Sequence, residues 1–501
     1  MRISCPRIYT ILCIANIIFI ALIEGIWFYL KKYFDGVSLE AILFTANTMN
    51  FSVMQTTEPT VIKKFFLEMF YTIIAALIIL SVLLYPFKVR LCGVHLLPLK
   101  RKTAFCVSVV MLAGACTHVA VNLEIPQFVA KKQSRTLVYD RYYVNPQNAR
   151  LKFPDRKRNL ILIYMESIET TYLSKELGGA RSYNLIPNLG KMAMENINFS
   201  QSSGIGGPQS IPGTGWTIAA LFGSMSGVPL SLPIEGNCYT GLGSFAPGAY
   251  SLGDILKENG YNLRFVTGAD SAFAGTNNFL TFHGGFVIKD VFSAEKEGVI
   301  GQGRRAWWGL EDKTLFRYAK KELVQLEKSF RQHIPFCFVM ATLDTHHVGG
   351  WICDLCSNKF SHQNENVIAC ADRQIAAFLN WAEKQAFYDN TTIVIIGDHL
   401  SMEPEYFKDI QANYSRHPYN VFINSAIETK SNKNRIFTTL DYYPTILASL
   451  GVKISGERLG LGTNLFSGKK TLAEILGIKQ LREELGKTSD LYNEKILYRQ
   501  K

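Results

Sequence analysis

Three long apolar segments, at residues 8–30, 65–87 and 103–122, dominate the first quarter of the chain. Each is close to the ~20 residues that a helix needs to cross the hydrocarbon core of a bilayer. A cleaved signal peptide is the alternative for the first segment, but that segment is too long and no small-residue cleavage site follows it. The sequence therefore predicts a membrane domain with three transmembrane helices at residues 1–123.

The orientation of this domain follows from the short loop between the second and third segments. Five basic residues and no acidic residue lie there: Lys88, Arg90, Lys100, Arg101 and Lys102. Loops of this kind stay in the cytoplasm. Arg2 and Arg7 agree with a cytoplasmic N-terminus, whereas Lys31 and Lys32 argue weakly against it. With three spans, the large C-terminal part lies outside the cytoplasm.

A basic stretch follows the third segment and accounts for much of the net charge of +12. We assign residues 124–157 to a juxtamembrane linker. Such charge is attracted to anionic lipid headgroups, although a solvated linker would show the same composition. No motif that reads a nucleic-acid groove is present, so we predict no nucleic-acid partner.

From residue 158 onward, apolar strand patterns alternate with amphipathic helix patterns, which is typical of an α/β domain with a mostly parallel sheet. We assign residues 158–468 to this domain and residues 469–501 to a charged helical tail. The pattern predicts strands at 160–165, 262–266, 336–342, 391–397 and 419–424, and helices at 188–195, 218–222, 251–259, 310–331, 369–386 and 441–450.

Side chains that can bind a metal ion directly follow two of these strands. Glu166 ends the first strand, and Asp398 and His399 follow the strand at 391–397. Because open α/β sheets bind ligands beyond the carboxyl ends of their strands, these groups predict a divalent metal site. Thr214 lies in a Gly-rich loop before an apolar helix, where the helix N-terminus favours an alkoxide or a phosphate. Helix capping is the alternative role of such a threonine, and Thr217 fits it equally well.

Cys353, Cys356 and Cys370 form a separate group. In an oxidising compartment we interpret the group as a disulfide rather than a zinc knuckle. Either Cys353 or Cys356 is expected to pair with Cys370, and the Cys356 pairing is favoured.

Taken jointly, four features resemble the phosphoglycerol transferase I and lipoteichoic acid synthase group of the alkaline phosphatase/sulfatase superfamily. They are Glu166 after the first strand, the segment Pro212-Gly213-Thr214-Gly215-Trp216-Thr217-Ile218-Ala219, the segment Thr342-Leu343-Asp344-Thr345-His346-His347, and Gly397-Asp398-His399. The resemblance implies a sulfatase-like domain behind a membrane anchor in the bacterial cytoplasmic (inner) membrane.

The resemblance also implies a ligand set and a reaction. One divalent cation, with Mn or Mg favoured and Zn possible, would be held by Glu166, Thr214, Asp398 and His399. Thr214 would be the nucleophile, and His346 would contact the phosphoryl group or serve as acid and base. The reaction would move phosphoglycerol from phosphatidylglycerol to a cell-envelope glycan through a phospho-threonine.

The segment 273–278 departs from the lipoteichoic acid synthases, because it lacks the Trp and Arg that hold glycerol phosphate there. Arg304, Arg305 and His417 are the nearest basic candidates for binding the substrate. Phosphatidylethanolamine as the donor therefore stays open, which would make the chain a phosphoethanolamine transferase. A catalytically silent binding or sensing membrane protein is the alternative of a different class.

Overall fold

The computed structural model describes residues 5–34, 37–48, 59–84, 89–91, 94–96, 99–231, 244–307, 309–411, 413–429 and 431–498. The chain divides into two compact units. The first comprises residues 1–39 and 57–129, and the second comprises residues 40–56 and 130–501.

Three long helices build the first unit, and they lie where the sequence predicts transmembrane segments. Within them, the stretches Arg7–Tyr33, Ile62–Leu84 and Arg101–Asn122 are long and apolar enough to cross a membrane. Small side chains such as Ala21, Ala76 and Ala104 are buried where the helices meet, while large apolar side chains such as Phe66 and Leu77 point outward. An apolar outer surface around a small-residue interior is typical of helices packed in lipid. Residues 85–87 of the second predicted span lie outside the described residues.

In chain order the α-helices are α1 Cys5–Tyr33, α2 Leu39–Thr48, α3 Pro59–Leu84, α4 Arg101–Asn122, α5 Ile125–Gln133, α6 Val138–Tyr142, α7 Pro187–Glu195, α8 Thr217–Ser226, α9 Leu252–Glu258, α10 Thr276–Phe282, α11 Val291–Lys296, α12 Asp312–Phe330, α13 Gln363–Ala382, α14 Pro404–Phe407, α15 Tyr442–Ser449, α16 Leu472–Leu476 and α17 Ile478–Gly486. The strands are β1 Val89–Leu91, β2 Val94–Leu96, β3 Leu151–Lys152, β4 Asn159–Met165, β5 Asn262–Thr267, β6 Val287–Lys289, β7 Phe336–Ala341, β8 Thr391–Gly397, β9 Asn420–Ile423, β10 Lys453–Ile454, β11 Arg458–Leu459 and β12 Gly462–Thr463.

A six-stranded sheet in the order β6-β5-β7-β4-β8-β9 forms the centre of the second unit. All of its pairings are parallel except that of β9, which runs antiparallel to β8. Strands β4 and β8 are buried along their whole length, and their largely apolar residues suit a sheet covered on both faces. The predicted α/β domain with a mostly parallel sheet is therefore confirmed.

Residues 130–157 of the predicted linker lie in the second unit, as does the predicted tail. Strand β3 pairs with β10, and the Thr136 amide donates to the carbonyl of Thr488 over 3.0 Å. Leu481 and Leu485 of α17 are buried. The ends of this unit are therefore tied together by backbone and apolar contacts.

The helix predicted at 369–386 begins earlier, at Gln363, and ends at Ala382. Its first turns are polar in sequence, yet Asn364 and Asn366 are buried. The Asn366 side chain accepts from the amides of Lys359 and Phe360 and donates to the Phe360 carbonyl. The asparagine therefore closes the preceding loop, which extends a helix that periodicity alone does not reveal.

Candidate active site

The register of β4 against β8 brings the predicted carboxylates together. Met165, the last residue of β4, pairs with Gly397, the last residue of β8. Glu166 and Asp398 therefore leave the sheet side by side at its carboxyl edge. Glu166, Asp398 and His399 are all buried, and each offers a ligand atom within 4.8 Å of the others. The sequence prediction of these three residues as one cluster matches the geometry.

The carbonyl oxygen of Leu400 fixes the orientation of the His399 ring. Its Nδ1 lies 2.9 Å from the carbonyl oxygen of Leu400, so Nδ1 carries the proton. The other ring nitrogen, Nε2, faces the carboxylates, 3.3 Å from Asp398 Oδ2 and 3.6 Å from Glu166 Oε1. A histidine fixed in this way by a backbone carbonyl is oriented as metal-binding histidines are.

The hydroxyl at this cluster belongs to Thr217, and Thr214 faces elsewhere. Thr217 Oγ1 lies 3.3 Å from Glu166 Oε2 and 3.4 Å from His399 Nε2. Thr214 Oγ1 instead donates to the carbonyl of Ile211 over 3.0 Å, and the residue is only 3 % exposed. The geometry therefore brings the Thr217 hydroxyl to the cluster in place of the predicted Thr214 hydroxyl.

The start of helix α8 explains this difference. Trp216 is extended, with φ −148° and ψ 160°, and Thr217 is the first helical residue. The Thr217 hydroxyl thus lies at the N-terminus, where unpaired amides and the helix dipole favour negative charge. The sequence signal was the position of Thr217 just before the apolar run, which also suggests a helix cap.

His346 lies on the loop after β7, two residues beyond Asp344 of the same motif. Its Nδ1 is 2.5 Å from the His347 carbonyl oxygen, and its ring stacks on that of His347 with centroids 4.4 Å apart. His346 is close enough to Glu166 to lower the pKa of that carboxyl. This position fits the predicted contact with a phosphoryl group.

The other predicted substrate-binding residues take different positions. Arg305 pairs with Glu295, its Nε 2.8 Å from Oε1, and its guanidinium lies 4.4 Å from the Phe292 ring centroid. Contacts of the described residues do not join Arg305 or Arg304 to the cluster. His417 is buried, with Nδ1 3.1 Å from the Pro208 carbonyl oxygen and Nε2 without a hydrogen-bond partner among the described residues. Of the three, His417 keeps an atom available for a ligand.

Two residues that the sequence did not single out hold the carboxylates in place. Ser167 has a left-handed backbone, φ 55°, which directs its amide to Asp398 Oδ1 over 2.8 Å. Its hydroxyl donates to Glu166 Oε1 over 2.6 Å. Thr345 Oγ1 donates to the Glu166 carbonyl over 2.5 Å. A small polar residue directly after Glu166 was the only sequence signal for this arrangement.

Charge is crowded at the cluster. Burial and the neighbouring Glu166 carboxylate raise the pKa of Asp398 to about 7. Burial also opposes ionisation of Glu166, but His399 and His346 hold its pKa below the ordinary value. For His399 burial favours the neutral ring, yet Asp398 and Glu166 raise its pKa on balance. The carboxylates of Glu166 and Asp398 are therefore both buried beside each other, where a nearby positive charge stabilises their ionised forms.

A divalent cation fits these donors. Asp398 Oδ2 is buried and has no hydrogen-bond partner among the described residues. The His399 lone pair, a Glu166 oxygen and the Thr217 hydroxyl lie beside it. Mixed carboxylate, imidazole and hydroxyl donors are suitable for Mn, Mg or Zn, so the donor set does not select the metal.

The metal-free protein should become less stable as pH rises from about 4 to about 7. Asp398 has a pKa of about 7 in the fold against an ordinary value of 3.8, so the folded state holds the proton more tightly and loses this advantage as the proton leaves. Melting temperatures measured with chelator across this range should fall more steeply for the parent than for Asp398→Asn. Parallel pH profiles would contradict the assignment.

A buried ion pair supports the loop after His399. Arg416 binds Glu169 through two guanidinium nitrogens, Nε to Oε1 at 3.0 Å and Nη2 to Oε2 at 2.8 Å. Glu169 also accepts from the Ser401 amide over 3.2 Å, and its side chain is 0 % exposed. The pair therefore joins the segment after β4 to the segment after β8.

Arg416→Ala should lower the free energy of unfolding by about 3 kcal/mol or more, because it leaves Glu169 as an unpaired buried charge. Arg135→Ala is the matched control, since its ion pair with Asp490 is exposed on both sides and exposed pairs contribute about 1 kcal/mol or less. Denaturant unfolding of the full chain in detergent, followed by tryptophan fluorescence, measures both. Equal changes in the free energy of unfolding for the two substitutions would show that Arg416 does not stabilise the buried carboxylate of Glu169.

Comparison with known families agrees with this geometry. The family model described as Sulfatase matches residues 158–452, more than half of the chain. The chain belongs to the sulfatase family. The matched residues of this sulfatase-family chain include the central sheet and every residue of the metal-type cluster.

Curated relatives of this sulfatase-family chain are phosphoglycerol transferases I. That of Escherichia coli is 33 % identical over 349 residues, which is 68 % of this chain and 42 % of the relative. That of Shigella flexneri is 33 % identical over 347 residues, with the same coverage. The chain thus spans less than half the length of these relatives.

Among solved structures, the lipooligosaccharide phosphoethanolamine transferase A of Neisseria meningitidis, an integral membrane protein, is similar in fold. It superimposes with a TM-score of 0.50 at 13 % identity, covering 85 % of this chain and 81 % of that chain. At this identity the likeness concerns the fold alone.

Proposed function

We propose that this protein is a membrane-anchored, metal-dependent transferase that moves phosphoglycerol from phosphatidylglycerol to a glycan of the cell envelope. The observation that carries the proposal is the Thr217 hydroxyl, held between Glu166 and His399 at a helix N-terminus. Curated relatives named phosphoglycerol transferase I support the choice of the transferred group.

The residues divide the chemistry between them. Glu166 Oε2 accepts the hydrogen bond of Thr217, which directs the oxygen lone pairs of the threonine away from the carboxylate. A divalent cation, when bound by Glu166, Asp398, His399 and Thr217, would lower the pKa of the hydroxyl and neutralise the phosphodiester. Thr217 is half-buried while Thr214 is buried, so a substrate can approach Thr217.

In the first step, Thr217 Oγ attacks the phosphorus of the lipid, its proton passes to Glu166 Oε2, which accepts its hydrogen bond, and the bond from phosphorus to the diacylglycerol oxygen breaks. His346 gives the leaving oxygen its proton. With Nδ1 committed to the His347 carbonyl, we assign this transfer to Nε2 of His346. The products are diacylglycerol and a glycerophosphoryl ester on Thr217.

In the second step, a sugar hydroxyl attacks the same phosphorus. His346 Nε2 takes the proton of the sugar hydroxyl, and the bond from phosphorus to Thr217 Oγ breaks. Glu166 Oε2 returns the proton to Thr217 Oγ, and the glycan carries glycerol phosphate. His417, whose Nε2 is buried and lacks a partner among the described residues, is proposed to accept a hydrogen bond from the bound substrate.

A lipid donor accounts for the membrane helices. The donor's phosphate lies at the bilayer surface, so an anchored enzyme acts on it without extracting the lipid. The basic loop before the third span supports a catalytic domain outside the cytoplasm by the positive-inside rule. We therefore place the protein in the bacterial cytoplasmic membrane with its catalytic domain outside.

Phosphatidylethanolamine as the donor is the second candidate, because the segment 273–278 offers neither an indole nor a cation for a glycerol headgroup. The full chain, reconstituted in vesicles, should release diacylglycerol from labelled phosphatidylglycerol in the presence of Mn²⁺. Equal vesicles of labelled phosphatidylethanolamine are the comparison. Release from phosphatidylethanolamine alone would identify that lipid as the donor in place of phosphatidylglycerol. Release from neither lipid would favour a catalytically silent binding protein.

A further inference from the structure

A second group of metal-type ligands lies apart from Thr217 and the carboxylates. Cys353, Cys356 and Cys370 place their sulfur atoms within 4.8 Å of one another. Cys353 and Cys370 are buried, and Cys356 is half-buried. No disulfide joins them in the structure, which differs from the bond that the sequence predicts.

The distances between the sulfurs distinguish a metal site from a disulfide. Cys353 Sγ lies 3.7 Å from Cys356 Sγ and 3.9 Å from Cys370 Sγ. A disulfide needs a separation of about 2.05 Å, and both of these separations from Cys353 are much longer. Thiolates around tetrahedral zinc, with bonds of about 2.3 Å, lie about 3.8 Å apart. The observed separations match that tetrahedral edge.

The side chain of Gln374 faces two of the three sulfurs. Gln374 Nε2 donates toward Cys370 Sγ at 3.5 Å and toward Cys353 Sγ at 3.9 Å. Amide donors to thiolate ligands are the usual second layer of metal–thiolate sites. Cys353 and Cys356 are joined by a turn, with the Cys356 amide donating to the Cys353 carbonyl over 3.0 Å. This turn directs two sulfurs to one side, and helix α13 supplies the third.

We propose that Cys353, Cys356 and Cys370 bind one thiophilic d¹⁰ cation, of which Zn²⁺ is the representative, as a structural site separate from the catalytic centre. Soft thiolate ligands select such cations over Mn or Mg. The site joins the loop that follows His346 to helix α13. Arg373 reinforces the same junction by donating from Nη2 to the Leu355 carbonyl over 3.1 Å.

Metal analysis of the full chain tests this proposal. The protein is purified in detergent under reducing, metal-free conditions, loaded with Zn²⁺ and freed of excess ion. Glu166→Gln with Asp398→Asn should keep one tightly bound zinc, because the catalytic ligands are not involved. Cys353→Ser and Cys370→Ser in that background should lose it. Cys106→Ser, an exposed cysteine outside the group, should retain it.

A cysteine variant that unfolds would also lose zinc, so two further measurements are made on the parent protein. Cobalt in place of zinc should give thiolate-to-metal charge-transfer absorption. Iodoacetamide should alkylate Cys353, Cys356 and Cys370 only after a strong chelator is added. A disulfide between any two of them in protein taken from membranes, with no zinc uptake after reduction, would overturn the proposal. Zinc retained by the cysteine variants would overturn it equally.

Discussion

Thr217→Ala should reduce phosphoglycerol transfer by about 10³-fold or more, because it removes the only hydroxyl that the described residues place against Glu166 and His399. Binding of the lipid should change little, since the substitution removes only the hydroxyl and the Cγ2 methyl group of one side chain. The measurement is release of diacylglycerol from labelled phosphatidylglycerol under single-turnover conditions.

Thr214→Ala is the matched control. It makes the same change three residues earlier in the same loop, and it removes a hydroxyl that donates to the Ile211 carbonyl. Its activity should stay within about tenfold of the parent, because it loses one hydrogen bond of about 1 kcal/mol that touches no reacting group. Thr217→Ser, which keeps the hydroxyl, should retain measurable transfer. Full activity in Thr217→Ala, or loss in Thr214→Ala alone, would return the nucleophile to Thr214.

Glu166→Gln combined with Asp398→Asn should weaken binding of Mn²⁺ at the catalytic centre by more than about 10²-fold and abolish transfer, because both charged oxygen ligands become neutral amides. Titration calorimetry with Mn²⁺ measures the affinity. In the parent, Mn²⁺ at 100 times its Kd should raise the free energy of unfolding by about 2.7 kcal/mol. In the double variant this stabilisation should vanish.

Glu195→Gln is the control for loss of a carboxylate. Glu195 is exposed and forms a surface ion pair with Lys191. The Glu195→Gln variant should therefore bind Mn²⁺ as tightly as the parent does. Without metal, the double variant should be at least as stable as the parent near pH 7, because neutral amides avoid the burial of charge and the repulsion from Glu166 that together raise the pKa of Asp398. Unchanged Mn²⁺ affinity in the double variant would remove Glu166 and Asp398 as ligands.

The sequence predicted what short-range patterns encode. Strands β4 and β8 were recognisable from unbroken apolar runs, and parallel strands end at one edge. Glu166, Asp398 and His399 could therefore be grouped before any coordinates were known. The three apolar N-terminal helices were predictable for the same reason, since their length and composition are local properties.

What the sequence did not reveal depends on single torsions and distant contacts. The choice between Thr214 and Thr217 rests on the extended backbone of Trp216, which decides where α8 begins. The support of the metal ligands by Ser167 rests on one left-handed residue. Arg416 and Glu169 meet across 247 positions of the chain, and no local pattern encodes such a pair.

The most direct test of the central claim is to find the covalent intermediate. The full chain is incubated with phosphatidylglycerol and Mn²⁺ without a glycan, quenched in acid and digested, and the peptides are analysed by mass spectrometry. We expect a glycerophosphoryl ester on Thr217, absent from Thr217→Ala and present in Thr214→Ala. An ester on Thr214, or turnover of the lipid with no ester on either threonine, would contradict it.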